Sequence, residues 1–216
     1  MKYLRKIMLS TVDLINSFFL LLLETFFPRD FDHKELEERI VKEIEDLKYK
    51  KYSSCNYFLN YKDELVRNAI WEMKFKNNRH ISKIFAQLVC VFLKDKDDFI
   101  LIPIPIHKKR RAERGFNQCE WICEDIIKIL KEVNYQPKIL IRNKYTEKQS
   151  WSTDKEARLE KLKGCFVVNE KLKDIIIGKK IVLIDDVVTT GSTIKEARRT
   201  LIESGASLVI LVVIAH

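Results

Sequence analysis

The stretch 181–193, IVLIDDVVTTGST, restricts what this chain can fold into more than any other. Four consecutive β-branched or leucyl residues, Ile181 to Ile184, predict a buried strand. The run stops at Asp185 and Asp186 and passes through a hydroxyl-rich turn with one glycine. It then meets IKEARRTLIES (194–204), where Ile194, Ala197 and Leu201 share one face of an amphipathic helix. Strand, acidic pair, small-residue loop and helix start, in that order, specify an α/β unit. The first turn of a helix has N–H groups without intrahelical partners and carries the positive end of the helix dipole, so the junction suits a phosphate. The candidate loop is Val188 to Thr193: Gly191 lets the backbone approach an anion, and Thr189, Thr190, Ser192 and Thr193 add hydroxyl donors. Two carboxylates would repel a phosphate, which directs Asp185 and Asp186 toward sugar hydroxyls or a divalent cation. A sugar phosphate, held by its phosphate and its diol, satisfies both ends. The plainer alternatives are a flavodoxin-like domain whose strand-end acids bind Mg²⁺, or a turn whose polar groups satisfy one another.

Elsewhere the periodicity predicts helices over 34–48, 62–75, 79–94 and about 118–133, the first with Leu36, Ile40, Ile44 and Leu47 in one stripe. Trp71 and Phe75 are assigned to core packing. Strands are expected at 99–106, 138–142, 166–168, 180–185 and 207–215, with 49–60 irregular and tyrosine-rich and 143–163 polar and aperiodic. Strands alternating with helices imply a parallel sheet covered on both faces, a Rossmann-like α/β fold. Ligands of such sheets bind beyond the carboxyl ends of the strands. Ile106–His107, Arg142–Asn143 and Asp185–Asp186 are expected to converge on that edge.

A chain of 216 residues suffices for one α/β domain, placed at 55–216, with a helical extension over 1–54. The net charge of +9 favours anionic partners: phosphate, pyrophosphate or nucleic acid. The five cysteines are scattered; Cys119 and Cys123, one helical turn apart, suit neither a zinc knuckle nor a disulfide scaffold. Buried, unpaired thiols in a reducing cytosol are the expectation. Residues 7–27 are membrane-like, but Asp13, Asn16 and Glu24 interrupt them, leaving a run too short for a span of roughly 20 residues. An amphipathic helix is expected there, packed on the domain or lying on a membrane surface, which places the protein in the cytoplasm with peripheral contact to the inner membrane.

A second motif covers IPIPIHKKRRAERGFNQ (102–118), with five cationic residues among the seven of 108–114. At a strand end such a segment solvates a loop, binds nucleic-acid phosphates or receives a pyrophosphate. On the same sheet edge as the phosphate loop, pyrophosphate is the better reading.

The acidic pair and its loop resemble the phosphoribosyl pyrophosphate (PRPP) signature of type I phosphoribosyltransferases. The Pro-x-Pro strand end, His107, Lys109-Arg110 and Arg114-Gly-Phe-Asn-Gln resemble the ComF family, phosphoribosyltransferase-like proteins associated with competence and DNA uptake. Gln149, Arg158, Gly164 and Phe166 are similar to that family's flexible loop, with Lys161 where the family usually has Asn. The resemblance implies that Asp185 and Asp186 hold the ribose hydroxyls in the reaction and that Val188 to Thr193 wrap the 5′-phosphate. It implies that Ile104, Pro105, His107, Lys109, Arg110 and Arg114, with Gln149 and Arg158, serve the pyrophosphate, and that 143–163 closes over the site. Mg²⁺ would be held mainly through PRPP, with Asp185 and Asp186 reaching it through water and no direct protein ligand. ComF proteins commonly carry a cysteine-rich zinc module after a helix ending in Phe-Pro. This chain has Phe27-Pro28 but no CxxC pair after it, so no structural zinc is expected.

The resulting expectation is a PRPP-binding protein that transfers the phosphoribosyl group to an unidentified acceptor and releases pyrophosphate. A non-catalytic PRPP or nucleotide sensor keeps the same signature. A DNA-handling accessory protein, meeting single-stranded DNA or the competence machinery through 108–114, is a further alternative. His107 is the one candidate general base, and a homodimer is compatible with all three readings.

Overall fold

The central strand forms where the apolar run demanded it. In the computed structural model, which describes residues 31–45, 50–52, 55–145 and 162–216, β7 spans Lys180–Val187 and buries Ile181, Val182, Leu183 and Ile184 completely. Residues 7–27, Gln149, Lys161 and Arg158 lie outside the described residues. Because side chains alternate along a strand, Ile181 and Leu183 face one side and Val182 and Ile184 the other. A strand buried on both faces belongs in the middle of a sheet. β7 lies between β8 (Leu208–Ala215) and β3 (Phe99–Pro103), parallel to both.

Two short strands complete the five-stranded parallel sheet: β2 (Cys55–Leu59) beside β8, and β4 (Asn134–Tyr135) beside β3. β1 (Lys50–Tyr52) adds an antiparallel edge, giving the order β1-β2-β8-β7-β3-β4. β2 lies in the stretch expected to be irregular. Its mixed CNYFL pattern hides it, and pairing with β8 rather than its own periodicity makes it a strand. The prolines act as expected. β3 ends at Pro103, one further bond toward β7 runs from the Ile104 N–H to the Ile184 carbonyl at 2.8 Å, and Pro103 and Pro105 face the β4 side, where they have no N–H to extend pairing.

The segment 138–142 departs from its expected place. β5 (Leu140–Arg142) does not join the parallel sheet. It pairs antiparallel with β6 (Phe166–Val168) in a separate two-stranded ribbon, with Leu140, Phe166 and Val168 buried and Ile141 and Val167 outward.

Both sheet faces are covered. On one, α6 (Ser192–Glu203) packs Ile194, Ala197 and Leu201 with Ile181, Leu183, Leu211, Val213 and the buried side of the β5–β6 ribbon. A 3₁₀ turn at Glu170–Ile176, capped by Asn169, follows β6. On the other, α5 (Gln118–Ile129) packs on β3 and β7 and against α3 (Arg79–Leu93), which also meets α1 (His33–Glu45) and α2 (Glu64–Phe75). α3 buries Ile81, Ile84, Phe85, Leu88, Val89 and Leu93. Each such side chain contributes about 1.5–3 kcal/mol on leaving water. The compact unit so formed runs from His33 to His216. Trp71 is half-buried, but Phe75 is 49% exposed, contrary to its assignment to the core. It ends α2 two residues past Met73, the last of the buried stripe, and Arg114 lies over its ring at 5.3 Å. Among the described residues no helix is long and apolar enough to cross a membrane. All five cysteines are buried and unpaired.

Candidate functional site

The two sequence motifs meet at the carboxyl end of the sheet. β3 delivers Ile104, and the chain then turns into α4 (Lys108–Arg114), a seven-residue helix capped at its start by His107, whose Nδ1 accepts from the Lys109 N–H at 3.2 Å. Gly115 ends α4 in the left-handed conformation (φ 85°) that glycine adopts without strain. Asn117 then caps α5: its Oδ1 accepts from the Cys119 N–H at 3.0 Å and its Nδ2 donates to the Ile104 carbonyl at 2.9 Å. Arg-Gly-Phe-Asn-Gln is therefore a corner that fastens the start of α5 to the end of β3.

That corner puts Gln118 and Cys119 against the acidic pair. Gln118 Nε2 donates to Asp186 Oδ2 at 3.2 Å, and the Cys119 thiol donates to Asp185 Oδ1 at 3.5 Å. Arg114 Nη1 donates to Gln118 Oε1 at 2.6 Å. A residue that neither motif contains also arrives here. Lys74, from α2, places Nζ 2.5 Å from Asp186 Oδ2, with the lysine side chain 16% and the aspartate side chain 6% exposed. The only hint in the sequence was a lysine directly after a buried stripe position, Met73.

The adjacent carboxylates are in unlike surroundings. Burial, and secondly the charge of Asp186, push the Asp185 carboxyl up to about 7 against the pull of Lys74. Burial opposes ionisation of Asp186 too, but Lys74, through charge and hydrogen bond, with Arg114 behind it, holds that carboxyl below the ordinary range. Burial likewise opposes the Lys74 ammonium and is outweighed by Asp186, so the lysine stays charged. Burial raises the Cys119 thiol well above its usual value.

The residues expected to form the phosphate loop also lie at this end of the sheet. Asp185, Val187, Val188, Thr189, Thr190, Gly191, Thr193 and Ile194 line one pocket. Gly191 is left-handed (φ 75°) at the N-cap of α6, without a side-chain cap on the helix. The hydroxyls of Thr190 and Ser192 are 3.1 Å apart. Val188 is held on both sides: its N–H donates to the Ala215 carbonyl and its carbonyl meets His216 Nδ1, each at 3.0 Å. Nothing in the sequence marked His216 for this task.

The basic segment is only partly free to meet a ligand. Arg111 is tied to Glu120 at 2.5 Å. Lys109 Nζ lies 4.7 Å from the centre of the Tyr145 ring, and His107 packs edge-on against the same ring. Arg142, although its strand left the parallel sheet, still lies near enough for its charge to interact with those of Arg110 and Asp185. Just before β6, the Gly164 N–H donates to Glu196 Oε1 of α6 at 2.5 Å.

Cys119, Asp185 and Asp186 present ligand atoms within 4.8 Å of one another. They suit a direct metal site poorly. The thiol is held protonated, and Asp186 is engaged by Lys74 and Gln118. That leaves Asp185 facing the pocket, so a hard cation such as Mg²⁺ would need most of its oxygen ligands from a bound molecule.

Residues 122–216 match the phosphoribosyl transferase domain family. Over 146 residues, 66% of this chain, the sequence is 33% identical to the Competence protein ComFC of Bacillus subtilis. It is 32% identical over 144 residues to the Competence protein ComFC of Streptococcus pneumoniae. The chain belongs to the ComF family. Its domain is an α/β fold of the type I phosphoribosyltransferase kind, as the strand order and the match together require. A DNA utilization protein, YhgH, of Escherichia coli (strain K12) is 32% identical over 111 residues. The matches span 56%, 60% and 45% of these three relatives, so the ComF likeness concerns the domain rather than their whole lengths.

Proposed function

We propose that this chain binds PRPP together with Mg²⁺ at the carboxyl end of its sheet and transfers the phosphoribosyl group to an acceptor, within the competence-linked role that its relatives' names carry. The observation that supports this best is the junction of the two motifs: Gln118, the last residue of the basic motif, and Cys119 beside it touch Asp186 and Asp185, just before the loop 188–193. The loop from Val188 to Thr193 and the first N–H groups of α6 would take the 5′-phosphate. Asp185 would take the ribose diol. Lys109, Arg110 and the backbone from Ile104 to His107 would face the pyrophosphate. Mg²⁺ would be held mainly by the bound PRPP, with Asp185 the protein group nearest to it, and would supply charge neutralisation for the departing pyrophosphate.

In the transfer, the bond from ribose C1 to pyrophosphate breaks and a bond from C1 to the acceptor forms. The electron pair leaves with pyrophosphate and the acceptor's proton passes to solvent or phosphate. Positive charge would grow on the ring as that bond stretches, and the carboxylate of Asp185, if it lies beside the ring, would stabilise that charge. His107 is committed to capping α4, which argues against a role as general base. Calorimetric titration with PRPP and Mg²⁺ tests binding, and absence of heat or saturation at millimolar ligand refutes it. Pyrophosphate release across a panel of bases and amines tests transfer. Binding with no release from any of them favours a sensor.

A second reading is favoured by the relatives' names, Competence protein and DNA utilization protein, and by the basic α4. In it, Lys108 to Arg111 contact DNA phosphates. Affinity for single-stranded DNA would then fall steeply with salt, and neutralising those residues would flatten the slope. Undetectable DNA affinity at low salt removes this reading.

A further inference from the structure

β7 alternates through the acidic pair, so Asp185 and Asp186 face opposite ways. Asp185 lines the phosphate pocket, whereas Asp186 is 4% exposed and does not. Both oxygens of Asp186 are engaged: Oδ2 by Lys74 Nζ and Gln118 Nε2, Oδ1 by the Val187 N–H at 2.8 Å. A carboxylate accepts about four hydrogen bonds, and three are already made from the protein side. Lys74 comes from α2, outside both motifs, and reaches the pair through a helix packed on α3. Behind Gln118 stands Arg114, so a chain of donors runs from the basic helix to the buried acid.

We infer that Lys74 is a positioning residue that divides the acidic pair into unlike halves. It locks Asp186 inward as a brace and cancels its charge behind an anion site, leaving Asp185 as the single carboxylate that grips the ligand's diol. This deepens the proposed function and rests on it. With Lys74 gone, an uncompensated negative charge stands next to the pocket and disfavours a polyanionic ligand. Removing that charge as well restores the electrostatics, although it also removes a carboxylate.

The test is calorimetric titration of PRPP with Mg²⁺ into wild type, Lys74→Met, Lys74→Arg and the double variant Lys74→Met with Asp186→Asn, with thermal melts alongside. Lys74→Met is expected to weaken binding by about tenfold or more, because a buried charge has lost its partner. Lys74→Arg keeps the charge and should retain most of the affinity. The double variant should return to within about threefold of wild type, a recovery that a purely structural lysine does not predict. A folded double variant more than about tenfold weaker than wild type overturns the inference, because Asp186 or Lys74 then touches the ligand. Wild-type affinity and melting in Lys74→Met overturns it too. If Lys74→Met does not fold, the double variant decides. If wild type does not bind, the proposed function has failed and takes the inference with it.

Discussion

Asp185→Asn should make this protein more stable while removing its affinity for PRPP. Asn has the same shape, and its Oδ1 can still accept from the Asp186 N–H, at 2.9 Å in the native pair, and from the Cys119 thiol. What it lacks is a charge that burial and Asp186 disfavour. The carboxyl rises from 3.8 to about 7 on folding, which corresponds to an upper bound of about 4 kcal/mol above neutral pH. Water entering the open pocket and relaxation of the strand end reduce this, so we expect a gain of about 1–2 kcal/mol at pH 8. For a domain of this size that is roughly 3–6 °C in Tm. The sign follows from proton linkage. A carboxyl whose value is raised on folding binds its proton more tightly in the folded state. Wild type therefore loses stability as pH climbs from the ordinary aspartate range through about 7, and is flat above it. The advantage of Asn should shrink between pH 7 and pH 5. Thermal or urea melts at pH 5 and pH 8, paired with PRPP calorimetry, give the answer. A variant less stable than wild type at pH 8, or one with an equal gain at both pH values, refutes the burial argument.

Gly191→Val places a β-branched residue at φ 75°, so it should cost about 2 kcal/mol and weaken PRPP binding well beyond its effect on melting; unchanged affinity would remove the loop from the site. Asn117→Ala loses both the cap on α5 and the tie to Ile104 in a residue only 1% exposed, and should destabilise by about 2–3 kcal/mol in urea melts. Lys109→Ala with Arg110→Ala should leave melting within about 0.5 kcal/mol of wild type and weaken PRPP more than ribose 5-phosphate, a comparison that isolates the pyrophosphate end. Equal losses for the two ligands would place these residues elsewhere.

The apolar runs FILIP and IVLI, and LVILVVIA near the chain end, announced the three central strands because a strand covered on both faces must be apolar throughout. CNYFL did not announce itself. Its identity as a strand comes from β8, a partner more than 150 residues away, and no local window contains that information. KILIR has the composition of a buried strand, yet its neighbour proved to be FVV in a ribbon apart from the sheet; composition reports burial, not partner. At the candidate site, Asp185 and the loop from Thr189 to Thr193 were evident as a contiguous motif. Lys74 was not, because a helical lysine next to an apolar stripe reads as solvent-facing until the tertiary fold brings a carboxylate to it. His216 was hidden for the same reason.

The strand order also bears on how the chain must assemble. β2 and β7 are not paired with each other in the sheet; they are joined through β8, which follows both in the sequence and slots between them. A growing polypeptide therefore leaves the ribosome with β2 and β7 unpaired, and the apolar flanks of that vacant slot stay open until β8 emerges. Such late, long-range closure slows folding and exposes the nascent product to aggregation, so synthesis of this protein should depend on chaperones more than its modest size suggests.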